Sequence, residues 1–196
     1  MGEKSLNLLV ILGSNRPGRI GERVAKWVLL LLKEFTSFQV DFADLAKLDL
    51  GLSPSANHPR SGIYEGGIRE LADKLERADV FIIITPEYNH GYPAILKHAV
   101  DSIYAEWIAK AGAIISYGAA SAGIRASEQV RQVMAELRTH IIRNGVALTA
   151  ASQRIDESGT CIGSEDMTRA FKSVADELYW WGSALKPARL EAPYPA

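Results

Sequence analysis

The sequence predicts an α/β protein, an open parallel sheet with helices on both faces. Three observations carry this. Short apolar runs recur along the chain, as strands buried on both faces require. Helical patterns alternate with them, strand then helix about five times, without internal repeats or low complexity. Glycine-bearing loops follow three of the apolar runs, at Gly13 to Gly21, Thr85 to Pro93 and Tyr117 to Gly123.

Taken in order, Asn7 to Gly13 ("NLLVILG") reads as the first strand. From about Ile20 to Phe35, Val24, Val28, Leu31 and Phe35 share one helical stripe. The run Trp27 to Leu32 is more apolar than one stripe needs, which points to deep burial or a subunit contact. Phe38 to Leu45 alternates like a strand, a turn-rich loop begins at Gly51, and Ile68 to Ala78 is helical. Asp79 to Ile84 ("DVFIII") is a buried strand, and Pro93 suits the first position of the next helix, which carries Leu96, Val100, Ile103 and Trp107. Ala111 to Gly118 is the fourth strand, followed by a helix bearing Val130, Met134, Leu137 and Ile141, with Gly145 as its cap. Val146 to Ala150 is the fifth strand, a last helix occupies about Ser164 to Trp181, and residues 187–196 read as an irregular tail. The 196 residues suit one domain.

Composition narrows the function. With 47% hydrophobic and 23% charged residues and no apolar span of about 20 residues, the chain reads as a soluble, intracellular globular protein, and a cytoplasmic location is expected. A net charge of -1 without basic blocks gives no electrostatic case for nucleic acid or an anionic membrane. Cys161 is the one cysteine and cannot form an intramolecular disulfide; it reads as a packing residue rather than a catalytic thiol. His58, His90, His98 and His140 are scattered without metal-ligand spacing, so no metal is expected.

Ligands of open parallel sheets bind beyond the carboxyl ends of the strands. The stretch "GSNRPGRIG" (13 to 21) joins a strand end to a helix start, where unpaired N–H groups and the helix dipole favour an anion. Its glycines let backbone approach a ligand, Ser14 offers a hydroxyl, and Arg16 or Arg19 can clamp phosphate oxygens. A nucleoside-triphosphate loop is excluded because Arg19 and Ile20 stand where its lysine and hydroxyl belong, and the dinucleotide fingerprint fails at Asn15. A phosphate monoester fits better; the alternative is a turn whose arginines are merely solvated. "TPEYNHGYP" (85 to 93) should form a stiff turn, with Tyr88 and Tyr92 offering flat faces to a planar heterocycle or else serving structure alone.

Together, "GSNRPGRIG" and "PEYNHGYPAILKHAVD" resemble the NADPH-dependent FMN reductase family over roughly residues 7 to 180. The resemblance implies a flavodoxin-like three-layer sandwich: a five-stranded parallel sheet of order 2-1-3-4-5 with helices on both faces. It implies that Ser14, Arg16, Arg19, Ile20 and Gly21 hold the FMN phosphate, that Pro86, Glu87, Tyr88 and Asn89 lie along the isoalloxazine ring, and that Tyr117 and Gly118 of "SYGAASAG" border the flavin. The family often has asparagine at the position of His98, and a third loop richer in glycine. His90 reads as a rim residue and Lys97 with Asp101 as a helical ion pair, so no catalytic side chain is expected.

The implied activity is hydride transfer from NADPH or NADH to bound FMN, then to a small acceptor such as a quinone, azo compound, metal oxyanion or free flavin. Arg125 or the 51–67 loop is the nearest candidate for a 2'-phosphate clamp. A homodimer or homotetramer is also implied. The rivals are a flavodoxin-type electron carrier and a non-catalytic flavin-binding module. Carriers resemble one another in a serine- and threonine-rich loop and an acidic surface, whereas this chain has loop arginines and balanced charge.

Overall fold

The computed structural model describes residues 5–163, 165–192 and 194–195. Its elements are β1 (Leu6–Leu12), α1 (Gly21–Leu32), β2 (Phe38–Asp44), α2 (Gly66–Arg77), β3 (Val80–Pro86), α3 (Ala94–Asp101), β4 (Ala111–Gly118), α4 (Ile124–Glu136), β5 (His140–Ile141), β6 (Val146–Thr149), α5 (Ala151–Arg154) and α6 (Glu165–Glu191). The strands run β2-β1-β3-β4, with β5 and β6 both beside β4, and every pair is parallel. This is the expected 2-1-3-4-5 order.

Side-chain alternation along the strands divides the core in two. Leu8, Val10, Leu12, Ile82, Ile84 and Ile115 face α1 and α6, while Leu9, Ile11, Phe81, Ile83 and Ile114 face α2, α3 and α4. All seven residues of β3 are buried, which accounts for its unbroken apolar run. The apolar excess of α1 is also burial: Trp27, Val28 and Leu32 are buried, and Trp27 meets Phe171 of α6 edge-on at 5.8 Å. Trp107 is likewise buried, against Phe81.

Several local expectations change. The fifth sheet position is split into β5 and β6. The segment between them departs from the sheet because other groups satisfy its backbone: Glu177 of α6 accepts the N–H groups of Arg143 and Asn144, and Arg131 donates to the carbonyls of Ile141, Ile142 and Arg143. Gly145 therefore lies in this crossing and does not cap α4, whose C-cap is Leu137. Pro93 is the N-cap of α3 rather than its first residue. Trp107 sits in a separate 3-10 turn beyond the end of α3.

The tail expected to be irregular from 187 is helical as far as Glu191, with Pro187 inside α6. Tertiary anchors offset the helix penalty of about 3 kcal/mol for an internal proline. Lys186 pairs with Asp79 at 2.7 Å, and Arg189 pairs with it at 3.6 Å and donates to the Ala109 carbonyl at 2.8 Å. Ser164, the expected helix start, and Pro193 and Ala196 of the tail lie outside the described residues. No helix of the described residues is long and apolar enough to cross a membrane.

Candidate functional site

The carboxyl ends of β1, β3 and β4 lie side by side, because Leu12 pairs with Ile84 and Pro86 with Tyr117 in the sheet register. The three loops that follow converge there on a cavity of about 450 Å³. Of the residues singled out in the sequence, Arg16, Arg19, Ile20, Pro86, Tyr88, Tyr117 and Gly118 line it. Ala150 to Gln153, beyond β6, form a further wall that the sequence reasoning missed. The available signal was that β6 ends at the same edge of the parallel sheet. Ser14, Gly21, Glu87 and Asn89 are not on the cavity wall.

The first loop is built by Pro17 and Gly18, which occupy the two central positions of a turn closed by Arg19 N–H to the Arg16 carbonyl at 3.2 Å. Gly18 has φ of +68°, the left-handed value that a type II turn requires at this place. Among the described residues no side chain caps α1, and the N–H groups of Ile20, Gly21 and Glu22 have no backbone acceptor. Those of Ile20 and Glu22 are open to an anion, while that of Gly21 faces the Tyr117 hydroxyl. Arg16 is exposed and has no ion-pair partner among the described residues.

Arg19 is placed differently from the expectation of a phosphate clamp. Its guanidinium donates to Asp44 at 2.6 Å, to Glu22 at 3.2 Å and to the Ser14 carbonyl. The physical reason is burial, since Arg19 and Asp44 side chains are only 5% and 4% exposed and each neutralises the other.

The second loop is a two-residue hairpin. Tyr88 and Gly91 exchange backbone hydrogen bonds of 2.8 and 3.0 Å around Asn89 and His90. Both central residues have positive φ, +50° and +68°, which matches a type I′ turn. The Tyr88 hydroxyl lies 3.0 Å from the hydroxyl of Ser14, joining the first two loops. Glu87 turns to the third loop instead: its carboxylate accepts Arg125 Nε at 2.7 Å and the Arg125 backbone N–H at 3.2 Å, at the start of α4. Partial burial would raise its pKa, but hydrogen bonds from Ser121 and Arg125 and the charge of Arg125 hold the carboxyl below its usual range. Gln129 of α4 donates to the His90 carbonyl at 3.1 Å, so α4 braces the hairpin twice.

Tyr117 closes the floor. Its hydroxyl is buried without a hydrogen-bond partner of good geometry among the described residues, and a Cβ on Gly21 would come within 2.5 Å of it. Burial, and Tyr88 beside it, push the phenol well above its usual value, so it stays protonated. His98, where the family often has asparagine, bonds the Leu50 carbonyl at 2.8 Å and holds the start of the 51–67 loop. Lys97 and Asp101 pair along α3. Burial raises the Cys161 thiol, which suits a packing residue.

A larger cavity of about 620 Å³ lies under the loop between Asp49 and Gly66, against α2 and α3. Among the described residues it is lined by Asp49, Glu65 and Asp101 and by no lysine or arginine, so it is a poor host for phosphate. The 450 Å³ cavity fits FMN better: uncapped helix N–H groups and a free arginine suit the phosphate, and a stiff hairpin stands beside them.

Residues 6–153 match the family described as NADPH-dependent FMN reductase. The chain is 36% identical over 151 residues to an NAD(P)H-dependent FMN reductase of Schizosaccharomyces pombe, covering 76% of this chain and 75% of that one. It is 29% identical over 189 residues to a 2-hydroxy-1,4-benzoquinone reductase of a Burkholderia species, covering 90% and 96%. Among solved structures, it superposes on a flavoenzyme NAD(P)H:(acceptor) oxidoreductase from Paracoccus denitrificans with a TM-score of 0.71. The identity there is 19%, over 92% of this chain and 98% of that chain, a likeness of fold.

Proposed function

The chain belongs to the NADPH-dependent FMN reductase family and is an FMN-dependent NAD(P)H oxidoreductase; on that premise we propose how its own residues serve the reaction. Arg16 and the N–H groups of Ile20 and Glu22 hold the phosphate, with Ser14 beneath them. Pro86, Glu87, Tyr88, Asn89, Tyr117 and Gly118 shape the ring site, Glu87 by fastening the hairpin to α4 and Asn89 by forming the turn. Bound FMN supplies the two-electron redox chemistry between nicotinamide and acceptor. The protein binds, orients and excludes water, and no side chain acts as nucleophile or acid.

The observation that carries this reading is the convergence of three strand-end loops on one cavity next to an uncapped helix N-terminus. The acceptor is a small molecule, and we assign it to the quinone class on the similarity to the benzoquinone reductase. We further assign the enzyme to the cytoplasm, in line with its single cysteine, and treat it as one domain because all strands join one sheet. A homodimer or homotetramer is supported by exposed Leu52, Ile63 and Ile124, and light scattering measures it.

Anaerobic mixing of the FMN-loaded protein with NADPH tests the activity: the yellow colour bleaches on the seconds scale, and a carrier or binding module would stay yellow. Titration of Arg16→Ala apoprotein tests the site. Loss of one charge-assisted contact should weaken FMN binding by about 1.5–3 kcal/mol, and unchanged affinity refutes the role given to Arg16.

A further inference from the structure

Arg19 lies within the phosphate loop, but its charge is already matched. The guanidinium has Asp44 of β2 at 2.6 Å and Glu22 of α1 at 3.2 Å, and it also holds the Ser14 carbonyl. We propose that Arg19 and Asp44 are a positioning pair: they fix the backbone of the loop from Ser14 to Arg19 and thereby make the site select FMN over riboflavin, without Arg19 contacting the phosphate. The inference rests on the FMN reading above and deepens it.

Arg19 ties the loop at two points. Its side chain holds the Ser14 carbonyl, and its backbone N–H closes the turn onto the Arg16 carbonyl at 3.2 Å. The chain has no cis peptide bond among its described residues, so the N–H of Asn15 points opposite to the Ser14 carbonyl, away from the Arg19 guanidinium. Pinning that carbonyl therefore sets which way the Asn15 N–H faces.

The anchor on the other side is the sheet. Asp44 ends β2 opposite Leu12 of β1, and its second carboxylate oxygen accepts the Ala46 N–H at 3.1 Å. With both oxygens engaged, Asp44 cannot follow Arg19 if that side chain swings away. Withdrawing the guanidinium toward a phosphate would leave a carboxylate that is 4% exposed without its counter-charge, which is strongly unfavourable. Arg16 is the loop cation free to meet the dianion.

The test uses apoprotein titrated by fluorescence with FMN and with riboflavin, which lacks the phosphate. Asp44→Asn should lower FMN affinity about tenfold or more, the scale for groups that orient metal ligands, with riboflavin affinity unchanged. If Arg19 were a direct clamp, Asp44→Asn would free its charge and FMN would bind as well or better, overturning the proposal. Equal loss of both flavins would also overturn it, as the sign of general destabilisation. Arg19→Met and the double variant with Asp44→Asn should lose no more than either alone; additive losses contradict a shared role.

Arg19→Lys covers the case in which Asp44→Asn does not fold. One ammonium keeps the charge but lacks the fork that spans Ser14 and Asp44, so an FMN-specific loss supports the pair and wild-type affinity refutes it. Wild-type apoprotein that binds neither flavin defeats the cofactor reading itself, and that outcome is distinct from each of the others.

Discussion

Lys110 is a buried cation with no carboxylate against it among the described residues. It is 6% exposed, and its ammonium donates to the carbonyls of Leu75 and Glu76 at the end of α2. Burial, with the charge of Arg189 adding to it, lowers its pKa from 10.5 to about 8, while Asp79, Glu106 and Glu76 pull the other way. Below pH 8 both folded and unfolded chains carry the proton, and the folded state bears the full penalty of the buried charge. Between pH 8 and about 10.5 the folded state releases its proton first. The unfolded chain then binds more protons, so stability rises with pH. At 1.36 kcal/mol per unit, the gain is about 3 kcal/mol. Urea denaturation of wild type and Lys110→Met across this range isolates it, because other lysines and tyrosines titrate in both proteins. Wild type should gain about 3 kcal/mol on the variant from pH 8 to 10.5. A difference that stays flat refutes the claim that Lys110 is buried as a cation.

Glu87→Gln should weaken FMN and riboflavin alike at neutral pH, since it loosens the hairpin rather than the phosphate loop. Because the Glu87 carboxyl titrates below its usual range, its contribution is present at neutral pH and lost on acidification through that lowered value. The variant's flavin affinity should accordingly fall less steeply with acid than the wild type's, as fluorescence titrations at several pH values would report. Gly112→Ala would place a Cβ 2.3 Å from the Phe81 ring and 2.9 Å from Ile141. Overpacking of this kind costs about 1–3 kcal/mol, seen as a lower Tm with FMN stoichiometry unchanged.

Much of the loop geometry was legible because it is set locally. Pro17 and Gly18 specify their turn by their own backbone preferences, and Asn89 tolerates the positive φ that its hairpin needs. Where sequence reasoning went astray, a long-range group had intervened. Glu177 of α6 satisfies the backbone that splits the fifth strand position, and Asp79, just before β3, holds the helix that continues through Pro187. Neither partner announces itself by spacing.

The apolar runs and glycine-bearing loops by themselves determined a parallel sheet with tight turns at its carboxyl edge, because burial on both faces and freedom of φ are properties of the residues in place. Which loop arginine is paired and which is left unpaired among the described residues was decided only by the fold. The β1–β2 register sets Asp44 beneath Arg19, 25 residues away in sequence, and two opposite charges shut off from water must satisfy each other before either can serve a ligand.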